Sequence, residues 1–107
     1  MQLYGVEAYQ MVAALTSSPW DLIDQLFGGA IRCIDERRLA QAYRIVEEGL
    51  LGNLNPSGTL SRGLADSYDI VLHHLRPGGS LPLARRMLVT MREGWKGIEE
   101  KKVEEFA

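Results

Sequence analysis

Residues 16–34 read TSSPWDLIDQLFGGAIRCI, and this stretch decides the fold. Ser18 is suited to cap a helix because its hydroxyl can accept a hydrogen bond from a free backbone N–H, and Pro19 fits the first helical position, where no N–H is needed. Asp21 favours the positive end of that helix. Apolar residues follow at spacings of three and four: Leu22, Ile23, Leu26, Phe27, Ala30, Ile31, Cys33 and Ile34. The pattern predicts an amphipathic helix, near residues 19–37, whose apolar face is covered by other helices.

The same periodicity predicts three further helices, near residues 39–52, 60–75 and 81–99. The second follows a tight break near Arg38, although residues 35–38 contain neither Gly nor Pro, so one continuous helix stays open. Thr59 or Ser61 is suited to cap the third helix, and Ser80, followed by Pro82, opens the fourth. The predicted core residues are Leu26, Ile34, Val46, Leu50, Leu64, Leu72, Leu88 and Met91.

Residues outside these helices are expected to form a short N-terminal arm or helix (1–15) and a charged C-terminal tail (99–107). Short connections between four helices favour an all-α fold, an antiparallel up-down four-helix bundle. The 107 residues are expected to form a single domain, 1–107, with 46% hydrophobic and 24% charged residues.

Composition also limits the function. The net charge is −2 and the basic residues are scattered among acids, so nucleic acid is not an expected partner. No apolar run approaches the ~20 residues of a membrane span, and the first residues do not resemble a secretory signal, so the sequence predicts a cytoplasmic protein without membrane insertion. The single cysteine, Cys33, lies on an apolar helix face and is interpreted as a buried hydrophobe.

No group of residues points to catalysis. His73 and His74 are adjacent, so on a helix they face different directions and cannot ligate one metal together, and a solvated or boundary position is the better interpretation. Asp21 and Asp24 have no partner histidine at metal-binding spacing and are expected to be solvated. The pair Gly28-Gly29 indicates close helix packing or a kink rather than a phosphate-binding loop. We therefore expect no catalytic residue, metal or cofactor, and no enzyme.

Three segments together resemble the FliS family of flagellar export chaperones, in a shortened variant. Ala8-Tyr9-Gln10, Ser17-Ser18-Pro19, Asp21-Leu22, Leu26-Phe27 and Gly29-Ala30-Ile31 are similar to the N-terminal pattern of that family. The second segment comprises Leu64, Tyr68-Asp69 and Leu75, and the third comprises Arg92-Glu93-Gly94-Trp95-Lys96. Both hairpins are shorter than in the family, and in an up-down bundle both hairpin turns lie at the same end.

The resemblance implies a cytoplasmic chaperone that binds the disordered C-terminal segment of flagellin and prevents its polymerisation before type III secretion. It also implies a contact with the flagellar export apparatus. The client-binding residues it implies are Tyr9, Val12, Leu15, Leu64, Tyr68 and Trp95. Ile70 replaces the second tyrosine of the family and His73-His74 replace an arginine pair. These departures keep open an export chaperone or adaptor for another client, or a self-associating structural bundle.

Overall fold

A computed structural model describes residues 19–54, 58 and 61–98, and in these residues the chain is helical and contains no strand. Helix α1 spans Pro19–Asp35, and α2 spans Leu39–Arg44 and continues as a π-helical segment, Ile45–Leu51. Helix α3 spans Ser61–Leu75 and α4 spans Leu81–Lys96. The predicted all-α class is confirmed. The predicted cap at Ser18, the arm 1–15 and the tail 99–107 lie outside the described residues.

A tight turn separates α1 from α2, which decides between the two possibilities left open by the sequence. Arg37 has a φ of 61°, the left-handed conformation that commonly ends a helix. The backbone N–H of Arg37 donates to the carbonyl of Ile34 (3.1 Å) and that of Arg38 donates to the carbonyl of Cys33 (2.8 Å). This pair of bonds is a Schellman motif, with arginine in the position that glycine usually occupies. The predicted break near Arg38 is therefore correct.

The other predicted helix starts differ in accuracy. Ser80 caps α4 as expected, because its Oγ accepts a hydrogen bond from the Leu83 N–H at 3.3 Å. Gly78 lies just before it with a φ of 88°, which only glycine adopts readily. Ser61, in contrast, lies within the described helix α3 rather than before it, and its hydroxyl donates to the Gly58 carbonyl (2.9 Å). Thr59, the alternative cap, lies outside the described residues.

Consecutive helices pack side by side around one core. Helix α1 contacts α2, the π segment and α4, and α3 contacts the π segment and α4. This is the neighbour pattern of the predicted up-down bundle. Six of the eight predicted core residues are buried, and Leu64 and Met91 are half-buried at the core's edge. The core also contains residues the prediction left out, including Phe27 and Tyr68, whose ring centroids lie 6.2 Å apart.

The glycine at position 28 lets a charged side chain, rather than a helix backbone, approach α1. The Arg92 guanidinium of α4 lies so close that a Cβ at Gly28 would stand 2.9 Å from its Nη1. Arg92 Nε donates to Asp24 Oδ1 at 2.9 Å and Nη2 donates to Oδ2 at 3.3 Å. The expectation that Asp24 is simply solvated is therefore wrong, since it forms a two-bonded, partly buried ion pair between α1 and α4.

Candidate client-binding surfaces

The client-binding residues implied by the family resemblance fall into three groups. Tyr9, Val12 and Leu15 lie outside the described residues. Leu64 is half-buried on α3. Tyr68 and Trp95 are buried, with exposed fractions of 2% and 5%. The structure thus places Leu64 at the edge of the core and both aromatic residues inside it.

The two buried aromatic residues hold helices together in this conformation. Tyr68 packs on Phe27 of α1, and burial raises the pKa of its hydroxyl. The indole N–H of Trp95 donates to the Trp20 carbonyl at 3.0 Å, which links the last turn of α4 to the first turn of α1. The Trp20 indole nitrogen is itself buried, and no hydrogen-bond partner for it lies among residues 19–54, 58 and 61–98. A client that touches these rings therefore has to displace side chains that cover them.

We define the apolar strip as four apolar residues of α3 and α4 that are not fully buried: Leu64, Met87 and Met91, which pack against the edge of the core, and Ile70, which is exposed. Arg85 and Arg92 of α4 form ion pairs with α1, so that side of α4 faces α1. Met87 and Met91 lie on the opposite side of its buried stripe, toward α3.

Ile70 contributes the exposed part of the strip. It is 48% exposed, the one large hydrophobic residue among residues 19–54 and 61–98 that is classed as exposed. Sequence reasoning noted this isoleucine only as a departure from the family. The signal that was available is its place on the polar side of α3, between Ser67 and His73, where apolar periodicity does not require it.

An apolar groove of about 650 Å³, called the end groove, lies at the end of the bundle that carries the turns. It runs between the start of α2 and the α3–α4 turn, and Arg44 and Arg76 contribute charge to its lining. The apolar lining consists of Leu39, Ala40, Tyr43, Leu75, Pro77, Gly78, Gly79 and Leu81. Sequence reasoning interpreted residues 76–79 only as a turn and missed this groove, because it is formed by residues distant in sequence.

A second, smaller cavity shows that both hairpin turns lie at one end, as predicted. Arg37 of the first turn and Gly79 and Ser80 of the second line the same cavity of about 530 Å³. Asp35 and Arg85 also line it and are joined by an ion pair of 2.7 Å. The end groove and this cavity share Gly79 and Leu81, so they are adjacent.

The histidine pair has a structural contact. His74 Nδ1 accepts a hydrogen bond from the Ser80 N–H at 3.1 Å, and the two imidazole centroids lie 5.2 Å apart in an edge-on arrangement. His73 is exposed and His74 half-buried, as a boundary pair should be. Among the described residues, no group of three or more His, Cys, Asp or Glu side chains is placed to hold a metal ion.

Comparison with protein-family models, curated proteins and solved structures finds no match to this chain. The resemblance to FliS therefore rests on the residues quoted above. In the described ranges, none of the helices combines the length and the hydropathy needed to cross a bilayer.

Proposed function

We propose that this chain is a non-enzymatic chaperone of the FliS type, which binds the C-terminal helical segment of flagellin in the cytoplasm and prevents its polymerisation before export. The observation that carries the proposal is the apolar strip of α3 and α4. Ile70 is 48% exposed there, and Leu64, Met87 and Met91 are half-buried and pack against the edge of the core. Partly exposed apolar residues along two neighbouring helices suit an amphipathic client helix.

The chemistry of the strip supports a client that must be held and later released. Methionine side chains adapt their shape to different partners, so Met87 and Met91 suit a client that lacks a fixed structure before binding. A disordered segment that folds on such a surface loses conformational entropy as it binds, and its affinity is correspondingly moderate for the area buried. Because the affinity is moderate, the client can be released at the export apparatus, which we propose as a second partner.

The sequence resemblance supports flagellin as the client. It covers Ala8-Tyr9-Gln10, the start of α1, the Tyr68-Asp69 pair and the segment around Trp95. We propose that Tyr9, Val12 and Leu15 contact the client together with the strip residue Leu64. Tyr68 and Trp95, which are buried here, would join the interface after side chains at their edge move aside.

A second candidate is an export chaperone for another secreted protein. The exposed Ile70 favours it, because an aliphatic side chain stands where the family usually has a tyrosine whose hydroxyl can bond to the client. His73-His74 in place of an arginine pair remove two permanent charges from the same helix.

Calorimetry with the flagellin C-terminal segment from the same cell tests the proposal. We expect one-to-one binding, a large negative heat-capacity change from burial of apolar area, and slowed flagellin polymerisation. Ile70→Glu should weaken binding by about tenfold or more, because it places a carboxylate in the apolar strip. Arg86→Glu, at an exposed position of the same bundle outside the strip, is the matched control and should bind as the natural chain does.

The possible results test separately whether flagellin is the client and whether the apolar strip is its binding site. No binding by the natural chain at micromolar concentration, with no effect on polymerisation, would overturn the flagellin proposal and favour the second candidate. Full binding by a folded Ile70→Glu variant would keep flagellin as the client and reject the strip as its site. Tyr9→Ala, measured in the same assay, should weaken binding by more than about 1 kcal/mol without changing the melting temperature.

A further inference from the structure

The end groove combines an apolar floor with two arginines. Of the ten residues that line it, none is acidic, and Arg44 and Arg76 carry positive charge. Arg44 forms an ion pair with Glu48 at 3.4 Å in which both side chains are about half exposed, with fractions of 48% each. Exposed pairs of this kind contribute little and exchange readily for another carboxylate.

Arg76 is held in place by a neutral group. Its Nη2 donates to the Tyr43 hydroxyl at 2.7 Å, and its guanidinium carbon lies 5.6 Å from the centre of the Tyr43 ring. The hydrogen bond to Tyr43 raises the pKa of Arg76, and the charge of the nearby Glu47 carboxylate also raises it. Because a guanidinium presents five donors and the tyrosine hydroxyl occupies only one, the remaining donors can bind a carboxylate in two-bonded geometry.

We infer that the end groove binds a short peptide segment of another protein, with one large apolar side chain flanked by carboxylates. The apolar side chain rests on Leu39, Leu75 and Leu81, and the carboxylates pair with Arg76 and Arg44. The absence of acidic lining residues and the fixed guanidinium of Arg76 carry the choice of an acidic partner, since complementary charge selects the partner and speeds association. The volume of about 650 Å³ accommodates a single anchoring side chain with its flanking backbone.

This site is separate from the apolar strip. It lies at the end of the bundle that carries both turns and is lined by α2 and by residues 75–81, which include none of the four strip residues. The inference therefore does not depend on flagellin being the client. Each of the two sites can be disabled without changing the other.

Fluorescence polarisation with a labelled peptide of sequence EELFEELG tests the inference. Two control peptides, QQLFQQLG and EEAAEEAG, remove the charges and the large apolar side chains respectively. We expect saturable binding of the first peptide, at least about tenfold weaker binding of each control, and loss of affinity as salt is raised. All measurements use the full chain.

Variants of the protein test whether the peptide binds in the end groove. Arg76→Gln removes the held charge and Ala40→Glu places a carboxylate at the exposed wall of the groove, and each should weaken binding by about tenfold or more. Arg62→Gln is the matched control, because Arg62 is exposed on α3, the helix that precedes Arg76, but is not part of the groove. Ile70→Glu should also leave peptide binding unchanged. Melting curves show which variants are folded, and only these are compared.

Three results would overturn the inference. Equal binding of the charged and uncharged peptides would show that the arginines do not select the partner. Equal binding by the natural chain and a folded Arg76→Gln or Ala40→Glu variant would place the peptide elsewhere. If the peptide binds only after residues 99–107 are deleted, the occupant is the chain's own segment Val103-Glu104-Glu105-Phe106 rather than another protein.

Discussion

Gly49 has no side chain because Leu26 of α1 occupies the space where one would be. A Cβ at Gly49 would lie 3.0 Å from Leu26 Cδ2 and 3.3 Å from its Cδ1, and Leu26 is fully buried. Leu26 cannot move outward, so we expect Gly49→Ala to lower the free energy of unfolding by about 1–3 kcal/mol, the usual cost of overpacking a core. Denaturant unfolding of the two proteins measures this difference.

Gly63→Ala is the matched control for that substitution. Gly63 also lies in a helix, but apart from its own helix backbone no atom of the described residues stands within 4 Å of the position that its Cβ would occupy. Alanine there should raise stability by about 0.5–1 kcal/mol, because it restricts the unfolded chain and favours the helix. A stable Gly49→Ala variant would mean that α1 and the π segment are farther apart than described.

The ion pair of Asp35 and Arg85 makes a pH-dependent contribution at the surface. The hydrogen bond from Arg85 lowers the pKa of Asp35 below 3.8. A carboxyl whose pKa is lower in the folded state stabilises the fold above its unfolded pKa, and the contribution is lost as pH falls through the folded value. The effect therefore lies below about pH 4. Nuclear magnetic resonance titration should show the Asp35 pKa rising toward 3.8 in Arg85→Gln, and an unchanged value would contradict the pairing.

At the scale of the helices, the seam between α1 and α4 carries much of the core. Leu26 and Leu88 are both fully buried, at 0% exposure. Truncation of either to alanine should cost about 2–5 kcal/mol, since burial is lost and a cavity is left. Leu64→Ala, at a half-buried position of α3, should cost less than half as much. Losses below about 1 kcal/mol at both buried leucines would show that the seam is misplaced.

Helix positions follow from the sequence because apolar side chains recur at spacings of three and four on every helix. The π-helical geometry of residues 45–51 does not follow from the sequence. It is recognised only in the structure, where the Gly52 N–H donates to the Glu47 carbonyl five residues back. Its buried residues, Ile45, Val46, Gly49 and Leu50, have spacings that suit an α-helix equally well over so short a segment. Arg37 is a similar case. Its left-handed conformation is set by the two backbone hydrogen bonds that end α1, and the sequence has no glycine at that position to predict it.

The whole molecule contains one thiol, in its core, and this gives a measure of global stability. Cys33 is 1% exposed, and burial raises its pKa. Under native conditions a thiol reagent should therefore react only with molecules that have opened. If Leu88→Ala costs 2 kcal/mol or more, it should speed the reaction by at least about 30-fold. Rapid reaction of the natural chain in native buffer would show that Cys33 is not enclosed.

Candidate sites were harder to predict than the fold because they depend on what the assembled bundle leaves uncovered. Tyr68 and Trp95 fit both a core and a binding surface by sequence, and only the packing of Phe27 and the Trp20 carbonyl against them places them inside. The end groove joins residues 39–44 to residues 75–81, which are separated by the whole of α3. No local sequence pattern predicts that these two segments lie next to each other.

The hydrogen bond between Trp95 and Trp20 joins the last turn of α4 to the first turn of α1, so the described helices form a closed ring. In a ring, the chain can begin at a different helix without changing which helices are neighbours. A circular permutant that links residue 98 to residue 19 through a short flexible linker, and opens the chain near residue 58, lacks residues 1–18 and 99–107 but keeps the contacts between the described helices. Such a permutant should fold into the same bundle with the same buried thiol.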